Sequence, residues 1–372
     1  MKIIYCTRDL TVGGVGSQLV ALLKEFDRNP AIEKILVIAP EQLEGFSQKI
    51  QFKVVRLWGR FFLTKEPLFA IQCYFLLKNI CKAEHYDIIH ALFTVFFPKV
   101  KAKKIRTSYS FHLGNITRNT LSNFFHKIYS ILDYVNFKQV DAVTFQGITD
   151  MNFAIKKMPF IKNKSHHIRN FIDIDKFSLE NIKREDVLKK HNLPLNKKFI
   201  LSAARFEPQK GINDLMEISE LIYKNFTDVE HIIAGDGPDK RLVLNSKAAY
   251  IGKVPNEQMK ELYAITDIYL SASYYECGVP QSLMETMYCG CMPLFTAVGD
   301  QHLALENNPE LIINQKNHPE VIAKIRNVLA FSEEKKEALR KKHRQTIIEK
   351  HWSKNNTKII LALYNKLIAN SA

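Results

Sequence analysis

Short apolar, β-branched runs alternate along the chain with longer segments whose apolar residues recur at helical spacing. KIIYC (2–6) and KILVIAP (34–40) have the strand pattern, and SQLVALLKEF (17–26) has the helical one. This alternation is typical of βαβ units in parallel sheets. We therefore predict an α/β protein with doubly wound, Rossmann-like parallel sheets. The predicted strands are 2–6, 34–40, 53–57, 87–92, 104–111, 141–147, 166–170, 199–204, 231–235, 250–254, 268–273 and 292–297.

A charged segment with little periodicity, 171–198, separates two such stretches. A chain of 372 residues is too long for one ordinary core, so two domains are expected. We predict domains at 1–190 and 191–350 that face each other across a cleft. The last segment, 351–372, has apolar residues at helical spacing, and we expect it to pack back on the first domain.

The composition, with 46% hydrophobic and 24% charged residues, is that of an ordinary globular protein. The first residues lack the apolar core of a secretory signal. The longest apolar run, 68–77, is about half of the ~20 residues that a membrane span needs. Six cysteines without C-x-x-C or zinc spacing indicate reduced thiols. We expect a cytoplasmic protein without a membrane-spanning helix.

The excess of positive over negative charge is confined to the first half of the chain. Residues 1–200 hold 32 Lys and Arg against 17 Asp and Glu, whereas residues 201–372 hold 21 of each. An excess of this kind indicates an anionic partner or a solvated Lys-rich surface. No zinc-finger or RNP-like motif supports nucleic acid. Aromatic residues interleave with cations in 56–75, which favours an anionic membrane surface, unless these aromatics are core. We predict a peripheral position on the inner membrane face.

Charged residues follow two predicted strands of the second half. Arg205 ends the strand 199–204 and Lys210 lies just beyond it, while Glu276 and Glu285 follow the strand 268–273. Fixed cations can stabilise a departing diphosphate, and a carboxylate can accept hydrogen bonds from a ribose diol. Glycines 235 and 237 follow a third strand, where they allow close approach of the backbone. Ligands of open parallel sheets bind at the carboxyl ends of strands, so the sequence predicts a nucleotide-sugar site here.

Other candidate residues carry weaker signals. Gly13, Gly14 and Gly16 open a helix after the first strand, as in a phosphate-binding turn, but fit no complete fingerprint. His90 and His112 both follow strands, and the loop-like Gly-Asn after His112 makes it the better candidate for the site. Asp173 and Asp175 could bind a divalent cation, but they lie in the connection between domains, and we predict no metal site.

The chain resembles the retaining, family-4-type glycosyltransferases of the GT-B fold. The resemblance covers nearly the whole length and rests mainly on SAARFEPQKG, IIAGDGP, YIGKVPNEQMKELYAITDIYLSAS and YYECGVPQSLMETMYCGCMP. It implies that a sugar moves from a nucleotide diphosphate, UDP- or GDP-linked, to a glycan or lipid-linked acceptor without a metal or other cofactor. Cell-surface polysaccharide synthesis is the expected setting.

The resemblance also implies roles for individual residues. Arg205 and Lys210 would hold the diphosphate, Glu285 the ribose, and the turn of Gly278, Val279 and Pro280 the sugar and phosphates. Gly14 would close over the phosphates and Val254 would meet the nucleobase. His112 and Glu276 would act beside the donor sugar.

One departure from the family pattern affects the acids. The family has two Glu separated by seven residues, and the position eight places before Glu285 is Cys277, whereas Glu276 is nine places before it. Either a one-residue bulge gives Glu276 the first role, or the site lacks that acid. Two alternatives to a transferase remain: a nucleotide-sugar epimerase, which can share this fold and much of the diphosphate site, and a catalytically inactive glycan- or nucleotide-binding protein, which the displaced Glu276 supports.

Overall fold

The structure is a computed structural model that describes residues 1–10, 13–55, 62–108 and 131–370, without the side chains of 13 and 62–67. The chain divides into two compact units. The first unit comprises Met1–Asn170 and Ser353–Ala372, and the second comprises Phe171–Trp352. Each unit has its own sheet, and all strand pairs are parallel.

The sheet of the first unit has the order β3-β2-β1-β4-β5-β6-β7. The order reverses between β1 and β4, as in a doubly wound fold. Its strands are β1 (Lys2–Cys6), β2 (Lys34–Ala39), β3 (Ile50–Val54), β4 (Ile88–Ala91), β5 (Lys103–Ser108), β6 (Ala142–Phe145) and β7 (Ser165–His167).

Helices cover both faces of this sheet. They are α1 (Gly13–Asp27), α2 (Phe62–Ala83), α3 (131–139), α4 (Ile148–Lys157) and, from the end of the chain, α13 (Ser353–Ala369). Alternate side chains of β1 point to opposite faces of the sheet and contact different helices. Ile4 and Cys6 join one core with residues of α2, α3 and α4, whereas Tyr5 contacts Tyr364 of α13. Helix α13 also packs against α1.

A buried polar network ties α13 to the first sheet. His90 of β4 shares hydrogen bonds with the Tyr364 hydroxyl (Nδ1–Oη 2.6 Å) and with Thr107 (Nε2–Oγ1 2.7 Å). Thr107 in turn bonds Thr144 at 2.7 Å. Burial, with a smaller contribution from the charge of Arg106, lowers the pKa of His90 to about 3. His90 is therefore a neutral residue of the core, inside β4 rather than after it.

The sheet of the second unit has the order β10-β9-β8-β11-β12-β13, which reverses between β8 and β11. Its strands are β8 (Lys198–Arg205), β9 (Val229–Asp236), β10 (Ala249–Gly252), β11 (Ile268–Ser271), β12 (Met292–Thr296) and β13 (Ile312–Ile313). Its helices are α5 (Arg184–Lys190), α6 (Ile212–Asn225), α7 (Lys240–Leu244), α8 (Met259–Ile265), α9 (Gln281–Cys289), α10 (Gln301–Ala304), α11 (His318–Leu329) and α12 (Glu333–Lys350).

Local sequence signals explain several helix ends in the second unit. The side chains of Asn317 and Ser332 accept hydrogen bonds from the first turns of α11 and α12. Gly290 ends α9 with φ +88°, in the left-handed region that favours glycine. Arg340 and Arg344 of α12 donate to the carbonyls of Gly290 and Tyr288, so α12 satisfies the carboxyl end of α9.

The twelve predicted strands each overlap a strand of the structure, and β13 was not predicted. The division between units lies at 170/171 rather than at the predicted 190/191. The physical reason is that the charged segment 171–198 buries its few apolar residues, including Ile174, Phe177 and Leu188, in the core of the second unit.

Two further observations concern the described part of the chain. All six cysteines lie within it, and none forms a disulfide. Within the same residues, no helix is both long and apolar enough to cross a membrane.

Candidate active site

The candidate site lies where the strand order of the second sheet reverses. At such a point the loops after the two central strands diverge and leave a crevice that can take a ligand. Here these loops are 206–211, after β8, and 272–280, after β11. Of the residues that the sequence analysis assigned to the donor, Lys210 lies on the first loop, and Gly278, Val279 and Pro280 lie on the second.

An ion pair joins the two loops. Lys210 Nζ lies 2.5 Å from Glu276 Oε1, and both side chains are largely buried, with 19% and 12% exposed. Lys210 also lines a small, mainly apolar pocket between α6 and the sheet. The structure thus brings together a predicted diphosphate ligand and a predicted acid. The catalytic role of Glu276 stays a prediction.

Backbone contacts fix the relative position of the two loops. Tyr274 N donates to Gln209 O at 2.8 Å. Gly211 has φ +66°, and a Cβ there would collide with the Ala272 carbonyl. Thr296 Oγ1 donates to Ser273 O at 2.6 Å. These contacts hold the ion pair in a defined place, independently of the pair itself.

The left-handed Gly211 directly precedes α6, a helix of 14 residues. Free N–H groups and the helix dipole at such an N-terminus favour a bound anion. The Lys210 ammonium and the start of α6 therefore both offer positive potential to the same loop.

Arg205 is the last residue of β8, and its side chain is 56% exposed. Its guanidinium lies 3.4 Å from the Glu207 carboxylate. An exposed pair of this kind is weak and leaves the guanidinium able to reorient.

Two glycines at the end of β9 approach protein backbone. A Cβ at Gly235, within β9, would collide with the Ala204 carbonyl of β8, and one at Gly237, just after β9, with the backbone of Phe206. Both glycines therefore contact the protein itself, at the end of β8 and at the start of the loop that follows it.

Glu285 lies on α9 and is 5% exposed. The Tyr263 hydroxyl donates to Oε2 at 2.7 Å, and Asn256 Nδ2 donates to Oε1 at 3.3 Å. Burial raises the pKa of Glu285, and the two hydrogen bonds oppose that shift. The sequence missed both partners, since neither has a motif of its own.

A second group of polar side chains links the loop 272–280 to α6 and α11. Tyr274 shares a hydrogen bond with Asp214 of α6, and burial together with this bond raises its pKa to about 12. His318, at the start of α11, lies 3.1 Å from Glu217 and 3.6 Å from Asp214. No sequence pattern indicates this group, because its members lie on three separate elements.

The turn that follows Glu276 leads into α9. Gly278 has φ +65°, and Val279 is buried. Asp300 N donates to Gly278 O at 3.2 Å, so the loop after β12 supports the turn. Pro280 is the N-terminal cap of α9. Val254 follows β10 and packs, half-buried, on the core of the second unit.

Two family models match this chain. The model of the glycosyl transferases group 1 matches residues 183–346, and that of glycosyltransferase family 4 matches residues 12–176. Together they leave only short stretches of the chain unmatched. The chain belongs to the group 1, family-4-type glycosyltransferases.

Individual relatives of this chain are distant in sequence. The putative teichuronic acid biosynthesis glycosyltransferase TuaC of Bacillus subtilis is 26% identical over 146 residues, which are 39% of this chain and 36% of TuaC. The alpha-monoglucosyldiacylglycerol synthase of Acholeplasma laidlawii is 30% identical over 147 residues, 34% of this chain and 37% of the synthase. The chain therefore spans little more than a third of either relative's length.

Solved structures show the fold of this chain. A sucrose-phosphate synthase from Thermosynechococcus elongatus superposes with a TM-score of 0.81 over 99% of both chains, at 15% identity. At that identity the likeness concerns the fold alone, which is GT-B.

The remaining candidate residues belong to the first unit or to the start of the second unit. Gly14 lies exposed in the first turn of α1. His112 lies outside the residues that the structure describes. Asp173 and Asp175 lie at the start of the second unit, and among the described residues no group of three or more His, Cys, Asp or Glu could hold a metal ion.

Proposed function

We propose that this chain transfers a hexosyl group from a nucleotide-diphosphate sugar, UDP- or GDP-linked, to a glycan or lipid-linked acceptor. The observation that carries the proposal is the Lys210–Glu276 pair across the point where the strand order of the second sheet reverses. The relatives' names, a teichuronic acid glycosyltransferase and a glucosyldiacylglycerol synthase, support a role in cell-surface polysaccharide or glycolipid synthesis.

In this proposal the donor diphosphate binds at Lys210 and Arg205, beside the N-terminus of α6. An ammonium group has three N–H donors, so Lys210 can bond a phosphate oxygen while it keeps Glu276 in place. The negative charge that develops on the departing diphosphate then meets fixed positive groups, which stabilise it without reorganisation. Glu276 is left beside the donor sugar.

Glu285 can take the ribose. Each carboxylate oxygen accepts about two hydrogen bonds, and Tyr263 and Asn256 use one on each oxygen. One acceptor site therefore remains on each oxygen, which suits the two hydroxyls of a ribose. The turn Gly278–Pro280 would contact the sugar and phosphates, Val254 the base, and Gly14 and His112 the donor from the first unit.

The transfer is proposed to retain the configuration of the sugar, with attack on the face from which the diphosphate departs. The diphosphate would then help to deprotonate the acceptor hydroxyl. The positive groups in this scheme are side chains and a helix terminus, so we expect activity to survive saturating EDTA. Loss of activity that Mn²⁺ restores would contradict this part of the proposal.

A panel of nucleotide sugars tests the proposal. Slow hydrolysis of one donor, and faster turnover when a suitable acceptor is added, is the expected result, and the anomeric configuration of the product tests retention. A new nucleotide sugar would instead indicate an epimerase. Binding without any turnover would indicate an inactive binding protein.

A further inference from the structure

The net positive charge of the chain belongs to one structural unit. The first unit contains 28 Lys and Arg against 12 Asp and Glu, a net charge of +16. The second unit contains 25 against 26, a net charge of −1. Residues 151–170 hold five Lys and Arg and no acid. An anionic partner would therefore meet the first unit.

Three elements of this unit pack on the same face of its sheet. Phe69, Cys73 and Leu77 of α2, Phe137 of α3 and Ile161 of the 3-10 turn Pro159–Lys164 all lie in one core. Because one core lies beneath these elements, their opposite sides face away from the sheet in the same direction. We call these opposite sides of α2, α3 and the turn the outer layer.

The outer layer exposes large apolar side chains. Phe75 and Ile131 are 59% and 63% exposed. In the described part of the chain, the large aromatic residues classed as exposed are Phe75, Tyr134 and Phe160, and all three belong to this layer. Its other exposed apolar residues are Leu68, Ile71, Ile131 and Val135. Of the aromatic stretch 56–75, Phe69 is core, and residues 56–61 lie outside the described residues.

The aromatic residues are held in place together with lysines. Tyr134 and Phe160 meet edge to face, with ring centroids 5.3 Å apart. Lys138 Nζ lies 4.4 Å from the centre of the Tyr134 ring. Lys164 Nζ donates to the carbonyls of Phe137 (2.5 Å) and Val140 (2.9 Å), which ties the turn to the end of α3. The cluster is thus a built surface of aromatic rings and cations.

Among the side chains that the structure describes, the exposed charged residues of the outer layer have one sign. Lys78 and Lys82 are exposed on α2, Lys138 on α3 and Lys162 on the turn. The single acid of α3 within 131–139, Asp133, pairs with the buried Arg106 at 3.6 Å. Aromatic side chains suit the membrane–water interface, and lysines near it are attracted to anionic headgroups. An acidic protein would also match the charges, but lysine, the cation of this layer, is depleted in protein interfaces and common beside aromatic residues at the membrane–water interface.

We propose that the outer layer docks on the surface of an anionic lipid bilayer. This rests on the proposed function in one respect: a lipid-linked acceptor would then be met at the membrane by the first unit. The docking itself requires neither donor nor turnover, so it can be tested separately.

The test is co-sedimentation of the full chain with vesicles, without donor. Vesicles of phosphatidylcholine are compared with vesicles that contain about 30% phosphatidylglycerol, at low and at high salt. Binding to the anionic vesicles at low salt, released by salt, is expected. No binding to them, or equal binding to neutral vesicles, would overturn the proposal.

Matched variants test the face. Lys138→Gln with Lys162→Gln should lower the partition coefficient by roughly 25-fold, about fivefold for each lysine. The control is Lys358→Gln on α13, in the other layer of the same unit. Ile71→Ser is matched by Ile359→Ser, since both side chains are 45% exposed. Equal losses in the layer and control variants would overturn the assignment of the face.

The result is separable from the proposed function. If vesicle binding fails but a nucleotide sugar is still hydrolysed, the docking is wrong and the transferase stands. If the chain binds vesicles but turns over no donor, the proposed function fails alone. Binding of the outer layer to a second copy of the chain, seen as a dimer that the layer variants abolish while vesicles do not compete, would also overturn the bilayer proposal.

Discussion

Replacement of Lys210 by methionine should affect both the stability and the activity of the protein. Methionine keeps the length and apolar stem of the side chain, but leaves Glu276, which is 12% exposed, without its partner. Removal of one partner of a fully buried pair costs about 3–5 kcal/mol. Because this pair keeps some exposure, we expect a loss of about 1–3 kcal/mol in the free energy of unfolding. Turnover should fall by about two to three powers of ten, as for the loss of one charge stabiliser.

Arg205→Ala is the matched comparison. Its side chain is 56% exposed and its contact with Glu207 is 3.4 Å long, so the loss of stability should stay below about 1 kcal/mol. Its turnover should nevertheless fall by about as much as that of the Lys210 variant. Stability and turnover should therefore separate at Arg205 and move together at Lys210.

A double-mutant cycle measures the pair directly. Lys210→Met, Glu276→Gln and the double variant are compared by urea unfolding and by initial rates of donor hydrolysis. We expect a coupling in stability of at least about 0.5 kcal/mol, as for residues in contact. Additive effects on stability would refute the ion pair in solution. Near-normal turnover in both the Lys210 and Arg205 variants would refute the placement of the diphosphate.

Three further changes test other parts of the structure. Burial raises the pKa of Glu285 above its unfolded value of 4.5. Relative to Glu285→Gln, the wild type should therefore lose stability as the pH rises from 4.5 toward the folded pKa, and thermal unfolding with the opposite slope would contradict this. The Glu285→Gln variant should also bind donor more weakly. The pKa of His90 is lowered to about 3, so the unfolded chain binds a proton at a higher pH than the folded chain does. Relative to His90→Asn, the wild type should therefore lose stability as the pH falls below 6.5. A pH-independent difference in melting temperature would argue against this. Gly211→Ala should lower the free energy of unfolding by more than about 2 kcal/mol, because the new Cβ meets the Ala272 carbonyl. Gly252→Ala, where φ is +82° and the space is open, should lower it by about 1 kcal/mol. Equal melting temperatures of the two variants would count against the tight loop contact.

The positions of twelve strands along the chain could be predicted because each of these strands carries its own signal. Short β-branched runs such as KIIYC and the turns after them are local properties of the sequence. Strand β13 escaped because two residues, Ile312 and Ile313, are too few to show a period. The boundary between units was misplaced because Phe177 and Leu188 are isolated apolar residues in a charged segment, and only the folded core shows where they pack.

The candidate site was predictable in its elements and unpredictable in its contacts. Lys210 and Glu276 could be found because each follows a strand, but their pairing depends on β8 and β11 being neighbours in the sheet. Tyr263 had the pattern of an ordinary helix residue, and its bond to Glu285 arises from the packing of α8 against α9. Contacts between elements distant in sequence leave no mark on any single segment.

The return of α13 to the first unit has a consequence for the order of events during biosynthesis. Domains generally fold as units, and the N-terminal one usually folds first as the chain is made. Here the first unit lacks Tyr364, the partner of Tyr5 and His90, until the last helix has been translated. The second unit, 171–352, is contiguous and can complete its core earlier. We therefore expect the second unit to complete its fold before the first unit does.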